Sequence, residues 1–230
     1  MKKCISQNNL KSVYLENNTA IKVFSKDYNK SDVLYEALNT ARVEDAGVNI
    51  PKLLSVSVNN GQWEITSEYA DGITLTQLIK EHPEKTADYI KKMVEYQVDF
   101  QKKSNPLLLK LKDKLIRQIN AMPKHTKLCH GDFCPDNIIV NIDDNADITS
   151  ITAVDWVHAT QGNASADIAN TYLLLKLQYS DSSIDIADMY MTQFCVATDT
   201  KKSYVTGWLP IVAAARMAKN KPDEKELLEH

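Results

Sequence analysis

The alternation of apolar and polar positions divides this chain into an extended first part and a helical remainder. Val13-Tyr14-Leu15 and Ala20-Ile21-Lys22-Val23-Phe24 are β-prone runs joined by the turn-prone Glu16-Asn17-Asn18, which predicts a hairpin. Cys4-Ile5-Ser6 could add a frayed third strand. Ser31 can cap a helix on which Val33, Ala37, Leu38 and Ala41 share one face, with Gly47 and Pro51 ending it. Lys52 to Val58, the turn Asn59-Asn60-Gly61, and Trp63 to Tyr69 predict a second hairpin.

Beyond Glu68-Tyr69-Ala70-Asp71-Gly72 the period lengthens to that of a helix, first at Leu75, Leu78 and Ile79. Ile90, Met93, Val94, Gln97 and Val98 continue it to about residue 104, where Pro106 interrupts. Leu108, Leu111, Leu115 and Ile119 predict another helix before Pro123. Ile138-Ile139-Val140 and the run from Thr149 to Val154 read as a hairpin around the acidic turn 143–147, which returns Asp155 to the neighbourhood of Asn137. Residues 166–178 are apolar nearly all round, as in a buried helix. Two further helices are expected over 183–198 and 204–219, with Pro210 kinking or dividing the last.

The pattern is α+β. It predicts an N-terminal lobe over residues 1–70, a small antiparallel sheet with one helix, and a mainly helical C-terminal lobe over 71–227. Leu228-Glu229-His230 reads as the start of an expression-tag remnant.

With 230 residues and 43% hydrophobic content the chain can bury a real core. Its 27 Lys and Arg against 30 Asp and Glu leave a net charge of -3, which argues against a nucleic-acid partner and for a small-molecule or protein substrate. No apolar run approaches the length of a membrane span, and a cytoplasmic location is expected. Four cysteines, at 4, 129, 134 and 195, form no CxxC pairs and suit free thiols. Cys129 and Cys134 flank His130, but a zinc site lacks its second ligand pair.

The densest chemistry lies in Leu128-Cys129-His130-Gly131-Asp132-Phe133-Cys134-Pro135-Asp136-Asn137, answered by Asp155-Trp156. Phosphoryl transfer needs a group to deprotonate a hydroxyl, hard oxygen ligands for Mg²⁺, and a cation for the nonreacting phosphates. Asp132 is the candidate base, Asn137 and Asp155 the candidate metal ligands, and Lys22, steadied by Glu36, the candidate phosphate cation. Each also has a plainer reading: Lys22 as a solvated strand lysine, Glu36 as part of a solvated helix face. His130 could be a general base or metal ligand, but its place beside Gly131 suits a histidine that shapes the loop. Asp136 reads as a turn cap. Asp167 could cap its helix, although the apolar sequence after it suggests a buried partner and support for the loop. Asp143, Asp144 and Asp147 suggest a calcium loop only weakly; a solvated turn accounts for them.

His130-Gly131-Asp132 with Asn137, then Asp155-Trp156 and Asp167-Ile168-Ala169, resembles the aminoglycoside phosphotransferase and choline kinase family, relatives of the protein kinases. Weaker resemblance reaches back through Glu68-Tyr69-Ala70-Asp71-Gly72, Pro51 and Glu36 to Lys22. It implies a two-lobed protein-kinase-like fold that binds ATP or GTP between the lobes, with the base on hinge backbone near Glu68 and Ala70. It also implies Asp132 as catalytic base, and Asn137 and Asp155 as Mg²⁺ ligands. The implied activity is transfer of the γ-phosphoryl group to a hydroxyl acceptor such as an aminoglycoside, an amino-alcohol or a sugar.

Two departures matter: the chain is short for the family, which suggests trimmed substrate-binding elements, and its phosphate-covering turn differs from that of the protein kinases. Gly47 is its first glycine, so the turn around Gln7-Asn8-Asn9 lacks a glycine-rich phosphate cover. A noncatalytic nucleotide- or metabolite-binding relative is therefore the alternative. A protein kinase is disfavoured by the short interval from Asp155 to Asp167, which leaves no room for a long activation loop. On the acceptor side, Trp156, His158, Tyr190, Tyr204 and Trp208 could box a quaternary ammonium or simply be core. Asp181, Asp185 and Asp188 could meet an amino-sugar or lie on a solvated helix.

Overall fold

The computed structural model describes residues 2–103 and 127–217, and the helix expected around Leu108 to Ile119 lies outside them. The first hairpins merge into one antiparallel sheet of order β1-β2-β3-β5-β4, built from Lys3–Gln7, Lys11–Glu16, Thr19–Phe24, Leu53–Asn59 and Gln62–Glu68 (β4 and β5 being the last two). Asn17 and Asn18 take left-handed backbone conformations at the β2–β3 turn, and Asn60-Gly61 does the same at β4–β5, as tight hairpin turns require.

Helix α1, Lys30–Asp45, packs on the sheet through Val33 and Ala37 against Phe24 and Ile65. Its N-cap is Asn29, not Ser31, which falls within the first turn. Its buried residues are Val33, Glu36, Ala37, Asn39 and Val43, while Leu38 is 47% exposed with Leu34 and Tyr35 beside it. Val33 and Ala37 of the expected face are buried as the spacing requires, whereas Leu38 is turned outward, and Glu36 and Asn39 on the inner side bond to Lys22 and to the Val157 oxygen. Gly47, at φ 77°, ends it through its N–H to the Glu44 oxygen.

The remaining elements are β6 (Ile73–Thr74), α2 (Leu75–Glu81), α3 (Thr86–Gln101), β7 (Lys127–Cys129), β8 (Ile138–Ile142), β9 (Ile148–Ala153), β10 (Thr160–Gly162), α4 (Ala164–Gln178), α5 (Ile186–Thr198), α6 (Lys202–Thr206) and α7 (Leu209–Met217). Strands β6, β8 and β9 form one small sheet, and β7 pairs with β10. Pro210 sits in the first turn of α7, so the last helical stretch is divided just before it, at Gly207-Trp208. The two-residue β6 and three-residue β10 are too short to leave a period in the sequence.

One large core joins α2 to α5 with the β8–β9 hairpin. Leu75, Leu78, Ile90, Met93, Phe100, Phe133, Trp156, Ile168, Tyr190 and Phe194 are all 2% exposed or less. Each such side chain contributes roughly 1.5–3 kcal/mol over its exposed state. Trp156 and Tyr190 thus belong to the core rather than to an acceptor box. Phe100 meets Phe133 and Trp156 edge-on, and the His130 ring lies tilted against Phe133 and Trp156, so two residues of the loop 130–137 join this aromatic cluster. Phe133 thereby anchors the loop in the core.

The acidic turn 143–147 is organised by its first residue: Asp143 Oδ1 accepts the N–H groups of Asn145 and Asp147 at 2.9 and 3.0 Å. These amides hold the Asp143 carboxyl below its ordinary range, and Lys85 reaches Asp147 at 2.7 Å. The turn is held by its own amides, by Lys85 and by the Tyr89 hydroxyl, which donates to the Ala146 oxygen at 2.9 Å. Among the described residues no helix is long and apolar enough to cross a membrane.

Candidate active site

Between the five-stranded sheet and the β6–β8–β9 sheet lies a cleft of about 660 Å³. Its apolar walls come from Val13, Ala20 and Ile65 on one side and Ile73, Ile139 and Val154 on the other. Glu68, Tyr69 and Ala70 line one part of it, and Lys22, Glu36, Asn137 and Asp155 another. An apolar slot with charged groups at one place is what a flat aromatic base bearing a polyphosphate requires.

Lys22 is central in β3, where the register pairs it with Val13 and Ile65. Its Nζ donates to Glu36 Oε1 at 2.5 Å and to Asp155 Oδ1 at 2.8 Å, so the three candidates from three separate stretches meet at one ammonium. Burial disfavours the charge on Lys22, but Asp155 and Glu36 together outweigh it and raise its pKa. Burial likewise works against the Asp155 carboxylate, and Lys22, with Lys11, overcomes it and lowers the pKa. Both groups are therefore charged at neutral pH. The solvated-surface readings of Lys22 and Glu36 give way to this pairing, with Glu36 only 4% exposed.

Asp155 adopts a left-handed backbone, φ 63° and ψ 53°. A non-glycine residue there costs on the order of 1 kcal/mol or more and persists only where the surroundings impose it. The β8–β9 register does so: Ile138 faces Ala153, and Val154 N–H donates to the Asn137 oxygen at 2.9 Å. Asn137 and Asp155 are thereby brought side by side at the open end of the hairpin.

Asn137 donates its side-chain amide to the Asp132 main-chain oxygen at 2.8 Å, with Asp132 Oδ2 at 3.4 Å. With the nitrogen committed to Asp132, the amide oxygen is left for another partner. An amide oxygen and an ionised carboxylate are hard donors that fit Mg²⁺, which takes few protein ligands and completes its shell with water and phosphate. Among the described residues no group of three or more His, Cys, Asp or Glu gathers as a metal site. Cys129 and Cys134 are buried, and burial pushes the Cys134 thiol up to about 12.

His130 is fully buried. Its Nδ1 accepts the Asp132 N–H at 3.3 Å, so Nε2 carries the proton and donates to the Val154 oxygen at 3.0 Å. Burial lowers its pKa despite nearby carboxylates. Both ring nitrogens are spent on main chain, which fits the loop-shaping reading and leaves neither for a reacting proton or a metal. Asp167 lies behind the loop: its Oδ1 accepts Gly131 N–H at 2.9 Å, and Oδ2 accepts His130 N–H at 3.2 Å and Gln97 Nε2 at 3.3 Å. The cap of α4 is Asn163, so Asp167 serves the loop instead. Asp136 is no turn cap either, since it bonds Thr76 at 2.5 Å and Gln178 at 2.9 Å, tying the loop to α2 and α4.

Several contributors escaped the sequence reading. Asn170 donates to the Gly131 oxygen at 3.0 Å, Arg216 of α7 lies 3.8 Å from Asp132 Oδ1, and Lys11 reaches Glu36 Oε2 at 3.0 Å. Asn170 is three residues past Asp167 and could have been found by helical spacing. The other two depend on tertiary placement. Asp185 and Asp188 pair with Lys176 and Lys202, on a solvated face as their spacing suggested.

Residues 100–202 match the sequence model of the phosphotransferase enzyme family (APH). No curated protein sequence matches the chain. In fold it is similar to aminoglycoside-3'-phosphotransferase of type VIII, at 11% identity and TM-score 0.59, over 89% of this chain and 91% of that one. A thermostable mutant of aminoglycoside phosphotransferase APH(4)-Ia, in ternary complex with AMP-PNP and hygromycin B, gives 14% and 0.57 over 99% and 90%. A choline/ethanolamine kinase family protein from Mesorhizobium loti gives 13% and 0.51 over 96% and 81%. The fold is therefore the two-lobed protein-kinase-like one, and the resemblance read from His130 to Trp156 is borne out.

Proposed function

We propose that this chain, which shares the fold of the aminoglycoside phosphotransferases and their sequence pattern over residues 100–202, is an ATP-dependent small-molecule kinase that phosphorylates a hydroxyl group. The observation that carries the reading is the junction of Lys22, Glu36 and Asp155 at the edge of a cleft that Asn137 also lines. In this reading residues 1–70 form the nucleotide-binding lobe and 71–227 the catalytic and substrate-binding lobe.

The adenine lies in the apolar slot and bonds main-chain groups near Glu68 and Ala70. Lys22 neutralises the α- and β-phosphates, and Glu36 fixes the lysine. Asn137 and Asp155 hold Mg²⁺, which when bound supplies positive charge to the phosphate oxygens. Asp132 accepts the proton of the acceptor hydroxyl as its oxygen attacks the γ-phosphorus, and the bond to the ADP oxygen breaks. His130 and Asp167 keep the loop in place without touching the reactants.

Incubation with Mg-ATP and a panel of amino-alcohols, sugars and aminoglycosides tests this. Turnover of at least one acceptor is expected, and Asp132→Asn should lower kcat by roughly 10²–10⁴. Tight Mg-ATP binding with no turnover across the panel would favour the second reading, a noncatalytic nucleotide-binding relative. One observation favours that reading: the turn before β2 spends its own amides internally, with Asn8 Oδ1 accepting Leu10 and Lys11 N–H at 2.9 and 2.8 Å.

A further inference from the structure

The turn between β1 and β2 is where a glycine-rich loop would offer free backbone N–H groups to phosphate. Here it folds on itself. Besides the two amides that Asn8 Oδ1 accepts, Asn8 N–H donates to the Lys11 oxygen at 2.8 Å. Three amides of the turn are thus committed within it, and a polyphosphate below must find its charge elsewhere.

Lys11 is placed to supply that charge. It opens β2 opposite Phe24, two residues before Val13, which pairs with Lys22. The period of two puts Lys11, Val13, Lys22 and Phe24 on one face of the sheet, the face that borders the cleft. The Lys11 ammonium lies 3.0 Å from Glu36 Oε2 and 5.3 Å from the ring centroids of both Phe24 and Tyr28. One carboxylate and two aromatic faces fix a lysine whose side chain is only 21% exposed.

Lys22 is shared between Glu36 and Asp155, and Lys11 brings a second ammonium to the same group at a point that lines the cleft. We infer that Lys11 is a second phosphate-binding cation of this cleft, taking the place of glycine-loop amides and gripping the polyphosphate of a nucleoside triphosphate. The inference rests on the nucleotide reading above. Its ammonium has three donors, of which Glu36 engages one among the described residues.

Calorimetric binding of Mg-ATP and of adenosine to the wild-type protein, Lys11→Met and Lys11→Arg tests it. Lys11→Met should weaken Mg-ATP roughly ten- to a hundredfold, the range for a hydrogen bond to a charged group, and leave adenosine within about twofold. Lys11→Arg should recover most of the loss. Unchanged Mg-ATP affinity in Lys11→Met overturns the inference alone. Equal loss of both ligands in both variants makes Lys11 a structural residue and also overturns it. A wild-type protein that binds neither ligand overturns the nucleotide reading and this inference with it.

Discussion

Asn39 donates its side-chain amide to the main-chain oxygen of Val157 at 2.9 Å, across 118 residues of chain. It stands three residues after Glu36 on α1, on the same face. One helical turn therefore holds both Lys22, through Glu36, and the segment that follows Asp155, through Asn39. The Lys22–Asp155 pair is fastened from behind at each end, with no long loop between Asp155 and α4 to rearrange it.

Asn39 is fully buried and its Oδ1 has no hydrogen-bond partner among the described residues. The opposite amide orientation would set that oxygen against the Val157 carbonyl, so the donor side is fixed. Asn39→Asp keeps the shape and removes the donor. It should cost about 2–3 kcal/mol of stability at pH 8 in urea unfolding, and lower kcat more than it weakens nucleotide binding. Unchanged stability would mean that α1 does not need this anchor.

Gly131 is the tightest point of the loop below Asp132. Its φ is 80°, and a Cβ there would lie 2.7 Å from the His158 oxygen and 2.8 Å from His158 Cβ. Both the backbone conformation and the available space exclude a side chain. Gly131→Ala should shift the loop by enough to reduce kcat about a hundredfold, while the nucleotide dissociation constant changes only a few-fold because the cleft walls lie elsewhere. Comparing kcat with binding in this variant separates loop placement from general unfolding.

Arg216 brings a buried cation, 8% exposed, to within 3.8 Å of Asp132 Oδ1. The separation is too long for a hydrogen bond and acts through charge. Arg216→Ala should therefore reduce kcat/KM for the acceptor about tenfold or more, on the scale of a lost partly buried charge contact, with nucleotide KM little changed. An equal effect on both substrates would show that α7 acts only by packing.

How much could be read beforehand follows the range of each signal. The hairpins 13–24 and 52–69 were legible because asparagine- and glycine-bearing turns separate β-prone runs, and the structure forms both. The helix expected over 166–178 was legible from its composition and forms as Ala164–Gln178. The inward face of α1 was legible only in part: periodicity selected Val33 and Ala37, which are buried, but also the exposed Leu38, and it missed Glu36 and Asn39, which face inward through polar bonds to residues far along the chain. At the site, His130, Asp132, Asn137 and Asp155 lie within 26 residues and carry a chemical signature. Lys11, Asn39 and Arg216 are ordinary residues in ordinary contexts until the sheet, α1 and α7 bring them in.

The neutral His130 makes stability depend on pH in a defined direction. Burial holds its pKa below the ordinary 6.5, so the unfolded chain takes up a proton that the folded chain resists. The contribution is complete above 6.5 and is lost as pH falls below it. Asp167 works the opposite way: burial raises its pKa above the ordinary 3.8 although Gly131 and His130 amides oppose this, so its protonation partly restores stability further into acid. Urea unfolding should thus give a free energy that is level near pH 7–8 and declines from about pH 6.5, with a slope of up to about 1.4 kcal/mol per pH unit for one proton. His130→Asn should lie lower throughout, since the bonds to Asp132 and Val154 are disturbed, but with that slope reduced. The same slope in both proteins would locate the proton uptake at another group and remove the neutral imidazole from the account of how the Asp132 loop is held.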